Sequence, residues 1–128
     1  MGFTIPRSGA FYLCDHDAVW KVKLGPKVTA ELTDLAPYSF VEANDDFLGL
    51  VFEGLKENPP LKKVGAREIS YDFKEGADAA HLRYLVDGEE RGQIQFSTFS
   101  SAWFVASFSD DGRFLILAEP YDLSIFEC

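Results

Sequence analysis

The densest run of groups able to do chemistry is Cys14-Asp15-His16-Asp17. Thiolate, imidazole and carboxylate all coordinate zinc, so the run reads first as a metal site. Neighbouring residues on a strand point to opposite faces, however, and a structural site draws ligands from two separate elements. His81 and Cys128 are the distant candidates, and no spacing ties them to Cys14. The run is therefore expected to be a polar turn after a buried cysteine, with no metal. The same residues contain a nucleophile pair, Cys14 with His16 or His81. That chemistry needs a thiolate stabilised by positive charge, and Asp15 and Asp17 supply the opposite sign. Gly-x-Ser-x-Gly, a Gly-rich phosphate loop and His-Glu-x-x-His are all lacking from the sequence. The 21 acids offer many carboxylate pairs of the glycosidase kind, and none stands out. A carboxylate-dependent hydrolase is thus the third-ranked function, and no catalytic residue or cofactor is assigned.

What remains is charge and aromatic content. Twelve Lys and Arg against 21 Asp and Glu leave a formal net charge of −9. Phosphate-backbone binders rely on clustered Lys and Arg, so nucleic acid is excluded as the expected partner. Cys14 and Cys128 are the only cysteines, too few for a disulfide framework; whether the two pair is left open. Residues 1–7 show no apolar stretch behind a basic region, and no run approaches a membrane span. The expectation is a single domain over residues 1–128, cytoplasmic and off the membrane.

The elements that must position these residues are short. Nineteen aromatic residues, twelve of them Phe, favour a pleated sheet. Apolar runs broken by Asp, Gly, Asn or Pro recur along the chain, and residues 18–24, 28–32 and 69–73 alternate with period two. Residues 38–43 read as a further strand. Residues 47–53 are apolar on both faces and read as a central one. Residues 54–65, with Pro59-Pro60, read as a long loop. Residues 78–86 fit a short helix capped by Asp78, but better a hairpin with residues 93–99 through Asp87-Gly88. Asp111-Gly112 marks a second hairpin, followed after Glu119-Pro120 by a closing strand. Residues 104–126 thereby resemble one blade of a β-propeller, although 128 residues cannot supply the four blades that closure needs. The fold expected is mostly β: an antiparallel sandwich, barrel or curled sheet of about ten short strands with at most one short helix.

The acids collect in the turns. Residues 76–128 hold nine acids against three bases. In an up-and-down meander every second connection shares an end. Asp15 with Asp17, Asp34, Asp87 with Glu89 and Glu90, and Asp110 with Asp111 would then share one end. A one-signed surface raises association rates with a partner of opposite charge. The leading function is therefore a non-enzymatic, acidic protein-binding domain of the inhibitor or immunity type, which neutralises a basic partner such as a toxin. The binding residues expected are those of Asp15, Asp17, Asp87, Glu89, Glu90, Asp110 and Asp111, with Trp103 or Tyr121 as an aromatic anchor. The alternative is a small β-barrel or sandwich that holds an apolar small molecule.

Overall fold

The computed structural model of the chain describes residues 2–49, 58–74, 76–98 and 103–128. Over these residues the chain forms twelve strands and one helix, arranged in three open antiparallel sheets, none closed into a barrel. The first sheet holds β1 (Gly2–Thr4), β2 (Ala10–Cys14), β3 (Val19–Lys23), β4 (Thr29–Leu32) and β5 (Phe47–Gly49), in the order β4-β3-β2-β1-β5. The second holds β6 (Lys63–Val64), β7 (Arg67–Asp72), β8 (Ala79–Val86) and β9 (Glu89–Ser97), in sequence order. The third is the meander β10 (Val105–Phe108), β11 (Phe114–Glu119) and β12 (Asp122–Glu127).

The meander is the middle of three layers. Alternation along β11 sends Ile116 and Ala118 against Phe3, Phe11 and Val22 of the first sheet. Leu115 and Leu117 go the other way, against Ile69, Ala80, Leu82 and Phe96 of the second. All six residues of β11 are buried, as a strand covered on both faces requires. Truncating Leu117 to alanine would leave a cavity at the centre of the molecule.

The remaining elements follow from local chemistry. Asp87 and Gly88 have φ of 52° and 80°, the two positive values that a tight hairpin turn between β8 and β9 needs. Residues 79–86 are accordingly strand, not helix. The one helix, α1 (Pro37–Ala43), lies instead on residues expected as a strand. Pro37 fits the first helical turn, where its missing N–H would have had no partner. Phe40 and Val41 then cover the outer face of the first sheet beside Cys14, Val19 and Phe47. Tyr12 and Phe40 complete that contact, with ring centroids 5.1 Å apart.

Three further expectations change. β5 ends the strand order of its sheet and is not central, while residues 50–53 of that run lie outside the described residues. The long loop contains β6, paired with β7 through Lys63↔Glu68 and Val64↔Arg67. β1 had no sequence signal beyond Phe3 and Ile5, yet it pairs with β2 on one side and β5 on the other. Its Gly2 is required by close approach: a Cβ there would meet the Leu48 carbonyl oxygen at 1.9 Å.

Candidate functional site

Hydrogen bonds fix which turns share an end. The amide of Asp110 donates to the Pro6 carbonyl at 2.8 Å, and the Asp110 carboxylate accepts from the Ser8 amide at 3.3 Å. Arg67 donates to the Gly112 carbonyl at 2.9 Å, and the Asp87 amide to the Ala66 carbonyl at 2.8 Å. Asp87, Glu89, Glu90, Asp110 and Asp111 therefore gather around the β1–β2 connection. Asp15 and Asp17 close the opposite end of β2, so the single acidic end drawn from a simple meander divides into two. β5 ends toward the Asp15 end and β7 starts at the Pro6 end, so β7 and every later strand run opposite to the direction that a single loop at one end would give them.

At the Pro6–Ser8 end most carboxylates are engaged within their own turns. Asp111 accepts from the Ser109 hydroxyl at 2.7 Å and the Arg113 amide at 3.0 Å, and these bonds hold its carboxyl below the ordinary range. Glu90 accepts from Arg83 at 2.6 Å and from Gln93, which lowers its carboxyl likewise. Glu89 lies 3.5 Å from Arg91, with both side chains exposed. Nearby, Arg7 pairs with Asp46 at 2.7 Å.

The Asp15 end is different. Inversion of the later strands brings the β11–β12 turn, Pro120-Tyr121, to this end, together with Trp103. A cleft of about 250 Å³ opens there between Gly2, Leu13 and Asp15 on one side and Trp103, Tyr121 and Asp122 on the other. Among the described residues no Lys, Arg or His lines it. Asp15 uses one carboxylate oxygen to cap its own turn, accepting from the amides of Asp17 and Ala18 at 2.7 Å each. Tyr121 is 78 % exposed. Asp17 sits in the same turn and is exposed.

Two residues at this end were missed by sequence reasoning, Glu119 and Asp122. The β11–β12 register sets them directly opposite each other, on the face shared with Leu115 and Leu117. Like charges so opposed are unfavourable. Glu119 is also only 3 % exposed, and neither of its carboxylate oxygens has a hydrogen-bond partner among the described residues. Asp15 and Asp122 form no ion pair among the described residues. The Glu-Pro-Tyr-Asp order was the available signal, because two acids flanking a two-residue turn must face each other across it.

Cys14 does not complete a reactive site. Its side chain is buried under α1, and burial, assisted by Asp15, pushes the thiol up to about 11. His16 is exposed in the turn and His81 lies on β8. Both cysteines are free; Cys128 follows β12 opposite Arg113, at the far end of the molecule from Cys14. Among the described residues no group of three or more His, Cys, Asp or Glu is placed to hold a metal ion, and no helix is long and apolar enough to cross a membrane. Comparison with protein-family models, curated proteins and solved structures found no match, so the chemistry of the site rests on its own residues.

Proposed function

We propose that the chain is a non-enzymatic protein-binding domain of the inhibitor or immunity type, whose Asp15 end receives a basic partner protein. The observation that carries this reading is the opposed pair of Glu119 and Asp122, one of them buried without a partner, beside a cleft lined by Asp15. Carboxylates placed this way hold free energy that a partner's Lys or Arg releases, because each side chain gains its missing counter-charge on binding. Trp103 and Tyr121 flank the entrance and offer aromatic surface to the same cation. Most acids of the Pro6–Ser8 end are already hydrogen-bonded or paired, so that end contributes long-range attraction more than contact.

A photo-crosslinking residue in place of Tyr121, expressed in the native host, tests the proposal. A basic protein should be captured, and its association should slow several-fold between about 50 and 300 mM salt. Asp122→Lys should weaken the complex much more than Asp110→Lys. An acidic partner, binding indifferent to salt, or equal effects of the two reversals would each contradict the reading.

A further inference from the structure

The middle sheet is narrower than the layers covering it. Its three strands span about 14 Å, against about 24 Å for the five-stranded sheet above it, at roughly 4.8 Å per strand. On the β10 side the gap is closed by residues 58–61: the Leu61 carbonyl accepts from the Phe108 amide at 2.9 Å, and the Leu61 amide donates to the Ser107 hydroxyl at 3.0 Å. On the β12 side among the described residues nothing closes it. There β4 projects beyond the meander, with its inward residues Ala30 and Leu32, and Val28 just before them, exposed to solvent; Val28 is 45 % and Leu32 58 % exposed. Across the slot, β8 and β9 overhang in turn. A groove of about 370 Å³ lies there between Tyr84 and Ile94 on one side and Leu115 and Phe126 on the other.

The open edge is also chemically unfinished. The Cys128 amide donates to the Arg113 carbonyl at 2.7 Å, and this fixes the hydrogen-bonding phase of the β11–β12 ladder. Asp122, Ser124 and Phe126 turn their backbone groups toward β11, leaving those of Leu123, Ile125 and Glu127 directed into the slot. The edge is thus a six-residue row of alternate free donors and acceptors between two apolar walls.

We infer that this slot receives an extended segment of a partner protein as a fourth strand of the middle sheet. The segment is about six residues long, apolar on both faces, and flanked by Lys or Arg. Both faces must be apolar because each meets a wall, as the side chains of β11 do. The flanks follow from charge: Asp122 and Glu127 stand at the two ends of β12, and neither has an ion-pair partner among the described residues. The same charges disfavour a second copy of this chain. Antiparallel pairing of β12 with itself opposes Asp122 to Glu127 twice, between two molecules of net charge −9. The basic flanks rest on the reading of a basic partner above, whereas the strand site does not.

The test uses the whole chain and a blocked peptide of about six alternating valines and isoleucines between two lysines. Binding should protect the amides of Leu123, Ile125 and Glu127 from hydrogen exchange about tenfold or more, leaving those of Ser124 and Phe126 little changed. Peptide methylated at alternate backbone nitrogens should bind at least about tenfold more weakly, as should the unmethylated peptide to Leu32→Lys, a change at an exposed position. Equal binding of the methylated peptide, or lack of protection along β12, would overturn the inference while leaving a crosslinked basic partner at position 121 intact. Dimerisation of the free chain that Leu32→Lys abolishes would overturn it in favour of a second copy. A glutamate-flanked peptide binding as tightly as the lysine-flanked one would overturn the basic flanks and the reading of a basic partner, with the strand site upheld.

Discussion

Replacing Glu119 by Met is expected to stabilise the fold. The side chain is 3 % exposed, both its oxygens lack partners, and it faces Asp122 across the ladder. A buried polar group without a partner costs about 1–3 kcal/mol, and an opposed like charge adds up to about 1 kcal/mol. Methionine has similar length and removes both costs, so a gain of about 1–3 kcal/mol is expected. With an unfolding entropy near 2.1 cal/mol/K per residue, a chain of this length changes its Tm by about 4 °C per kcal/mol. The Met variant should therefore melt about 4–11 °C above the parent in a calorimetric or circular-dichroism scan. Glu119→Gln keeps a polar group in the same place, and its Tm should stay within about 3 °C of the parent. A fall in Tm for the Met variant would refute the reasoning, because it would mean that the carboxylate is satisfied in the folded chain. Affinity for a basic partner should move the opposite way, weakening as stability rises.

Other expectations follow from individual contacts. Gly2→Ala should cost about 1–3 kcal/mol in urea unfolding, since its Cβ would strike the Leu48 carbonyl and force β1 from β5. Leu117→Ala, at the centre of the middle layer with no exposed surface, should cost about 2–5 kcal/mol by the same measurement. Asp111→Asn should cost about 0.5–1 kcal/mol at neutral pH, a figure kept low because the group is largely exposed. Its folded carboxyl is depressed, so the parent's advantage is present above the unfolded value near 4 and is lost as pH falls through the folded one; the urea midpoints of parent and variant, separated at pH 7, should converge in acid. Cys14, held near 11 by burial, has about one part in a thousand as thiolate at pH 8, and should resist a thiol reagent until the chain is unfolded.

Strands were legible wherever alternation coincided with turn chemistry. Asp87-Gly88 and Asp111-Gly112 name their hairpins because each holds a glycine at positive φ, and the flanking apolar residues have only one face to bury. Residues 38–43 misled because a six-residue, largely apolar stretch fits either period, and only its packing on Tyr12 and Val19 selects the helix. β4 alternates as a half-buried strand should, yet Val28 and Leu32 are exposed. The pattern records which face a strand turns inward, but cannot record whether another layer reaches that far.

The candidate site was legible in parts and misplaced as a whole. Asp15, Trp103 and Tyr121 each carried a local signal: a turn acid and two large aromatics. Their meeting depends on which end of the molecule β7 starts from, relative to where β5 stops. Among the described residues the strand between them, β6, has two residues, and no periodicity exists in two residues. Counting residues 54–65 as a loop at one end sends Tyr121 away from Asp15 and brings Asp110 to it; the observed start of β7 at the Pro6 end exchanges them. β12, the last strand of the meander, is the uncovered edge at which the Asp15 cleft and the strand slot adjoin. If both are used, Leu32→Lys should weaken a partner that Asp122→Lys also weakens. A double variant should then show coupling, its loss differing from the sum of the single losses by more than about 0.5 kcal/mol. Strict additivity would separate the cleft and the slot into independent surfaces.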